Sequence, residues 1–312
     1  MLASPVNPTL RVLLESTTAQ LGGLGGLARR EAETLICAAL GLPRSRLITD
    51  PDWPVPEALA ERITQWTQRR AAGEPLAYLT GEREFWSRSF LVDAAVLVPR
   101  PETELLIERA LLAGDALAAV KRLSTALAQA ESAPAAIRAV DLGTGSGAIA
   151  LTLALERPPW QVHAVERSES ALRIARANAA HLEAEHPGSN PVVFHAGHWF
   201  EPIGQRQFDL IVSNPPYVAA DDPVLLADGL RHEPRAALTP GIDAFADLQH
   251  ILERAPRHLA AGGVLLFEHG STQGAELRAR LVARGFAHVV SHRDLAGHER
   301  VTEGRWLPAP SP

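Results

Sequence analysis

The tetrapeptide Asn214-Pro215-Pro216-Tyr217 closes the apolar run FDLIVSN and combines residue types suited to one kind of chemistry. Its two prolines carry no N–H, so a strand ladder cannot continue through them, and the carbonyls beside them stay free to accept hydrogen bonds. The side-chain oxygen of Asn214 adds a second acceptor. Two acceptors at a strand end suit an NH2 group, and the flat ring of Tyr217 suits a planar one: an exocyclic adenine amine or a carboxamide. Such a nitrogen is a weak nucleophile because its lone pair is delocalised. Holding both N–H groups on acceptors aims that lone pair at an electrophile, which is catalysis by geometry and not by a titrating base. The same four residues also read as a rigid strand-to-loop turn without chemistry, since Asn-Pro and Pro-Pro are common breakers.

Upstream, AVDLGTGSGAIALTLA runs from an apolar stretch through a glycine-rich turn into a helical pattern. Gly143, Gly145 and Gly147 leave room for a ligand to approach the backbone, and the first N–H groups of the following helix are open to a carboxylate. Gly143, Gly145 and Ala148 also fit the GxGxxA form of the dinucleotide fingerprint, so on this motif alone a nicotinamide or flavin enzyme stays open. Asp141, just before the first glycine, weighs the other way. A carboxylate repels a pyrophosphate but attracts the ammonium and sulfonium of S-adenosylmethionine. Glu166 ends the next apolar run, QVHAVE, where its carboxylate can accept both hydroxyls of a ribose, a group that dinucleotides and S-adenosylmethionine share.

These residues need a frame that brings positions 141–147 next to 214–217. From Arg138 onward, short apolar runs alternate with helical segments: RAVDL, QVHAVE, PVVFHA, FDLIVSN, GGVLLFEHG and AHVVSH. That alternation predicts a doubly wound, mostly parallel α/β sheet, which binds ligands at the carboxyl ends of its strands. Residues 1–82 keep helical spacing at Leu10, Leu13 and Leu14, at Leu35, Ala39 and Leu40, and at Leu59, Ile63 and Trp66, predicting a small helical domain. Residues 83–99 read as a β-hairpin connector, with a strand pair drawn from FWSRSFLVDAAVLV. Residues 100–312 form the α/β domain, opened by the helix PETELLIERALL with proline and acids in its first turn. The Ala-rich stretch 113–136 carries no chemistry and reads as an inserted helix and linker.

Composition narrows the class. The 312 residues are 46% hydrophobic and 21% charged, enough for a substantial core. A formal charge of −6 argues against broad nucleic-acid binding, which needs a basic face. The apolar stretches are short and the first residues lack a basic-then-apolar leader, so no membrane segment is expected and the cytoplasm is the expected location. Cys37, the one cysteine, excludes an intrachain disulfide and reads as core packing. The 12 histidines show no metal-ligand spacing, and no metal is expected. Of the 30 basic residues only Lys121 is a lysine, which looks like codon bias.

With these residues in place, the chain closely resembles the release factor glutamine methyltransferases, the PrmC/HemK family. The resemblance rests on GEPLAYLTGEREFW at 73–86, VPRPETELL at 98–106, DLGTGSGAIAL at 141–151, SNPPY at 213–217, RHEP at 231–234 and RDLAGHERVTEGR at 293–305. The glycine turn and NPPY recur in adenine-N6 DNA methyltransferases, whereas the first and last of these segments point to release factor enzymes. The resemblance implies a helical N-terminal domain that helps hold the substrate, a hairpin, and a class I methyltransferase domain, Rossmann-like, with a seven-stranded mostly parallel sheet. It implies transfer of a methyl group from S-adenosylmethionine to the amide nitrogen of the glutamine in the Gly-Gly-Gln motif of class-one peptide chain release factors, with no direct nucleic-acid partner. Carried over residue by residue, it puts Asp141, Gly143, Thr144, Gly145, Ser146, Gly147, Glu166 and Asn214 at the cofactor, with Trp199 beside its adenine. It puts Asn214, Pro215, Pro216 and Tyr217 at the glutamine. The chain departs from the pattern at His198, where an aspartate is expected, and Glu166 replaces a residue that is often Asp. The alternatives are glutamine methylation of a ribosomal protein, whose enzymes usually depart from the PRPETE and DLGTGSG forms, and adenine methylation of DNA, which would want a basic groove.

Other polar residues have plainer readings. Glu102 and Glu104 read as first-turn helix acids. Glu268, His269 and Gly270 follow a buried strand on the ligand side but suit a loop role equally, and Arg231, His232, Glu233 and Pro234 are candidates for the substrate mouth.

Overall fold

The computed structural model describes residues 7–127, 136–188 and 191–308, which form two compact units. One runs to Glu82 and takes in Leu226–His232; the other holds Arg83–Leu225 and the chain from Glu233 onward.

The first unit is helical: α1 (Leu10–Gln20), α2 (Ala28–Leu40), α3 (Arg46–Thr49), α4 (Glu57–Ala71) and α5 (Leu76–Thr80). Thr9 caps α1 by accepting from the Val12 N–H, and α2 stops at Gly41 in the left-handed conformation. The helically spaced Leu10, Leu13, Leu14, Leu35, Ala39 and Ile63 meet in one core, with Leu40, Leu59 and Trp66 packed on its edge. Cys37 is half-buried there, and burial followed by nearby Glu33 raises its thiol pKa, so it is held as the inert thiol. The heptapeptide Leu226–His232 is tied into this unit at two carbonyls. Gly73 accepts from the Gly229 N–H at 3.0 Å, and Ala72 accepts from the Arg231 guanidinium. Gly73 has φ +91, and a Cβ on it would strike that guanidinium, so glycine is required where the 73–86 and 231–234 motifs meet.

The second unit opens on a hairpin, β1 (Glu82–Phe85) and β2 (Arg88–Leu91). Its turn is Trp86-Ser87, both at positive φ, the two-residue form whose twist matches the strands. The alternation read out to Val98 is therefore not all strand. The backbone of Leu91 is taken by a side chain instead: its N–H donates to Asn178 Oδ1 at 2.6 Å and its carbonyl accepts from Asn178 Nδ2 at 3.0 Å. Beyond it, Val92, Val96 and Val98 are buried one by one. Next, α6 (Thr103–Leu127) runs unbroken for 25 residues, so the Ala-rich stretch continues the predicted helix; residues 128–135 lie outside those described.

The sheet contains β3 (Arg138–Leu142), β4 (Gln161–Glu166), β5 (Val193–Ala196), β6 (Phe208–Ser213), β7 (Leu259–Glu268), β8 (Phe286–Arg293) and β9 (Glu299–Trp306), in the order β5-β4-β3-β6-β7-β9-β8. Five strands are joined by parallel ladders, and β9 is inserted antiparallel between β7 and β8, so β8 runs the same way as those five. The central strands read as continuous apolar runs because both faces are covered. Ala139, Leu210, Val212 and Leu266 face the layer with α6 and α7 (Ala148–Glu156). Val140, Ile211, Leu265 and Phe267 face the layer with α10 (Ala246–His258) and α11 (Gly274–Ala283). Two further helices, α8 (Glu169–Glu185) and the short α9 (Arg235–Leu238), follow β4 and precede α10. Lys121 is also structural: its ammonium meets Asp209, 3% exposed, at 2.7 Å, and the Arg138 N–H donates to the same oxygen at 2.8 Å. The ion pair pins α6 to the start of β6.

Candidate active site

The two predicted centres stand at neighbouring strand ends. Leu142, last in β3, pairs with Ser213, last in β6, and the Ser213 hydroxyl donates to the Leu142 carbonyl at 2.7 Å. The glycine turn and the Asn-Pro-Pro-Tyr loop therefore leave the sheet side by side. This is the switch point of the topology: after β3 the chain builds toward β4 and β5, and returns on the other side at β6.

In the turn, Gly143, Gly145 and Gly147 have φ of +77, +56 and +84. A Cβ on Gly147 would lie 2.9 Å from Leu151 and 3.3 Å from Ala175, so glycine lets α7 and α8 close up. Gly145 instead has nothing within 4 Å of such a Cβ and lines an open cleft. Glu166 braces the turn: one carboxylate oxygen accepts from the Gly145 N–H at 2.9 Å and the other from the Ser168 N–H at 2.8 Å. Asp141 is fully buried; its Oδ2 accepts from the Thr144 hydroxyl at 2.6 Å while Oδ1 has no partner. Burial pushes its carboxyl up to about 7, with Thr144 and the Ala150 N–H pulling down and Glu166 adding to the rise.

The cleft has a cavity volume of about 140 Å³. Among the sequence-derived candidates it is lined by Gly143, Gly145, Glu166, Trp199, Asn214, Pro216 and Pro234, whereas Asp141, Thr144, Ser146, Gly147, Pro215 and Tyr217 are not part of that lining. His198 lines it too, its ring 5.3 Å from Trp199 and 5.4 Å from His250. Trp199 is 6% exposed, has φ +47, and lies so close that a Cβ on Gly143 would come within 3.1 Å of its ring. Asp247 faces this corner; burial raises its pKa, against the pull of Arg167, His198, His250 and the Trp199 indole.

In the loop, Asn214 Nδ2 donates to the Thr103 hydroxyl at 3.4 Å. Among the described residues no donor is bound to Asn214 Oδ1 or to the Pro215 carbonyl, so both predicted acceptors are free. Tyr217 is carried by Gln273, whose Nε2 donates to its carbonyl at 3.3 Å and whose Oε1 accepts from the Gly270 N–H at 2.8 Å. Burial, then Glu268, raises the Tyr217 phenol pKa, keeping it neutral.

Sequence reasoning missed Asn178 and gave Glu233 and Glu104 other roles. Asn178, with no exposure, bonds both the Leu91 backbone and the Ser146 carbonyl, the last at 2.9 Å, and so ties the hairpin to the glycine turn. Glu233 is nearly fully buried, accepts from the Val98 N–H at 3.3 Å and pairs with Arg100, joining two walls of the cleft, residues 95–97 and 234–237. Burial raises its pKa, and Arg100 and the Val98 N–H counter it. Glu104 holds the hairpin by accepting from the Trp86 N–H at 2.9 Å. Each partner pair is far apart in sequence, and only the spaced glycines, prolines and acids give a local signal.

With that geometry in place, comparison with known proteins is decisive. Residues 13–81 match the model of the PrmC N-terminal domain, and residues 134–302 match that of a methyltransferase domain. A release factor glutamine methyltransferase from Pseudomonas aeruginosa is 45% identical over 89% of this chain and 93% of its own length. The chain belongs to the release factor glutamine methyltransferase family. Enzymes of that name from Salmonella typhimurium and Xylella fastidiosa are 42% and 44% identical, covering 90% and 89% of this chain and 93% and 94% of their own lengths. Family membership makes the chain an S-adenosylmethionine-dependent methyltransferase, and the dinucleotide reading of the glycine turn falls away. No helix among the described residues is long and apolar enough to cross a membrane.

Proposed function

We propose that this chain methylates, in the cytoplasm, the side-chain amide nitrogen (N5) of the glutamine in the Gly-Gly-Gln motif of class-one peptide chain release factors. The observation that carries the reading is a pair of free acceptors, Asn214 Oδ1 and the Pro215 carbonyl, at the end of β6 beside the glycine turn of β3.

The cleft suits S-adenosylmethionine. Gly145 leaves open the space that a side chain would fill, Glu166 keeps lone pairs beyond its two backbone donors, and Asp141 Oδ1 lacks a partner. When bound, S-adenosylmethionine supplies an electrophilic methyl group. Gly143 and Trp199 wall its site, and Thr144 and Ser146 fix the turn through Asp141 and Asn178. His198 stands beside Trp199 where the resemblance implies an aspartate.

The chain's own contribution is placement. Asn214 Oδ1 and the Pro215 carbonyl take one amide N–H each, the ring of Tyr217 covers the flat face of the carboxamide, and Pro216 narrows the approach. With both N–H groups held, the nitrogen lone pair would be left facing the cleft, where a bound S-adenosylmethionine would supply the methyl group and keep the C–S bonding pair. One proton then leaves the methylated nitrogen, whose acidity has risen, so no base is needed beforehand.

Labelled cofactor offered in parallel to purified release factor, a ribosomal protein and DNA tests this. The expected result is a single methyl gain on the release factor glutamine and none on a factor with alanine there. Label on DNA or the ribosomal protein alone would overturn the reading.

A further inference from the structure

The amide of Asn214 can be presented in two ways, and only the one with Oδ1 toward the cleft serves a substrate NH2. Register explains what stands behind it. Ser213 pairs with Phe267, so Asn214 and Glu268 are the next residues along adjacent parallel strands, both at carboxyl ends. Glu268 is 1% exposed and Thr103, opening α6, is 5% exposed. Asn214 Nδ2 reaches the Thr103 oxygen at 3.4 Å, and both groups act on the neighbouring Glu268 carboxyl, drawing its pKa down. One Glu268 oxygen, Oε2, has no partner, although burial of an unsatisfied carboxylate oxygen is costly. Burial pushes this carboxyl up to about 7, and Thr103, Arg300 and Asn214 pull it down while Glu102 raises it. A carboxylate kept this dry next to a reacting residue is a group the fold retains for a purpose.

We propose that Glu268, with Thr103, is a positioning residue: the pair accepts the Asn214 NH2 from behind and thereby commits Asn214 Oδ1 to the substrate. In its ionised form the Glu268 carboxyl can only accept, so above about pH 7 the reversed amide would set Oδ1 against it and is disfavoured. Glu268 itself touches neither substrate nor cofactor. Its effect is on how often the amide is held in reacting geometry, so it bears on kcat and leaves binding alone.

This proposal rests on the glutamine-methylating reading, and the test separates the two. Wild type, Glu268→Ala, Glu268→Gln and Thr103→Val are compared for methylation of purified release factor at saturating cofactor, with calorimetric binding of S-adenosylhomocysteine as a second readout. We expect Glu268→Ala to lower kcat about a hundredfold with cofactor affinity and release factor KM nearly unchanged, the scale of a misplaced reacting group. Glu268→Gln keeps a carbonyl acceptor and should recover most of that loss, and Thr103→Val, nearly equal in volume, should lose about tenfold. If Glu268→Ala does not fold, the other two variants decide. Full activity in Thr103→Val, no advantage of Gln over Ala, or a loss that falls on KM would overturn the positioning role. A wild type that leaves the factor unmethylated would overturn the proposed function, and this inference with it.

Discussion

The glycine turn after β3 and the proline loop after β6 begin side by side yet solve opposite problems. The turn removes side chains: Gly145 leaves open space along the cleft, and its N–H is taken by Glu166, whose carboxylate lines the same wall. The loop removes donors: with no N–H on Pro215 or Pro216, what remains is acceptors, Asn214 Oδ1 and a carbonyl. One rim thus suits a ligand with hydroxyls to donate, the other a ligand with an NH2 group. The difference teaches that polarity in this site is set largely by which backbone groups are left over from the sheet, with the Glu166 carboxylate in the cleft wall and Asp141 buried out of the lining.

That contrast can be broken at either rim. The largest effect is expected at the loop, where Asn214→Ala should cut kcat about a thousandfold while cofactor affinity stays nearly intact, as for loss of a group acting in the transition state. Single-turnover assays with parallel titration calorimetry check it; a matching loss of affinity would mean that loop and turn are not separable. At the turn, Glu166→Ala should do the reverse, weakening cofactor binding by about 2 kcal/mol, roughly thirtyfold, with a smaller change in kcat, since hydrogen bonds to a carboxylate are lost. Gly145→Ala should cost about 1 kcal/mol of stability from its left-handed φ and should also weaken the cofactor, whose space the methyl group enters. Denaturant melts with and without S-adenosylhomocysteine measure both.

The smallest effect is a slope. Asp141 has its folded pKa raised from 3.8 to about 7, so the folded state binds a proton that the unfolded chain has released. Its contribution to stability is complete below about 4 and is lost as pH rises through about 7, so between these limits stability should fall with pH. Asp141→Asn should flatten that fall in melting temperature measured without ligand. An unchanged slope would move the titration elsewhere.

How much of this was legible in the sequence follows from the same contrast. Gly143 to Gly147 and Asn214 to Tyr217 were readable because glycine and proline act on their own backbone, within a few residues. The central apolar runs were readable because strands covered on both faces show no gaps, whereas β5 and β8 are partly exposed and were read from their place in the alternation. By contrast, β9 was visible only through family resemblance: ERVTEGRW is half-buried and charged, and the partners that make it a strand lie on β7 and β8. Asn178, Arg100 with Glu233, and Thr103 with Asn214 were invisible because each interaction joins residues 87 to 133 positions apart. His198 was flagged as a departure, and the structure adds what a pattern lacks, its neighbours Trp199 and His250.

The Leu142–Ser213 seam also constrains how the molecule is made. Its two strands are 71 residues apart along the chain, and neither half of the cleft exists until they zip together. Loop closure of that length comes late and slowly in folding, so partly folded chains should be unable to bind the methyl donor. Ligand would then favour only the finished sheet by mass action, and amide hydrogen exchange in β3 and β6 should slow most when it is added.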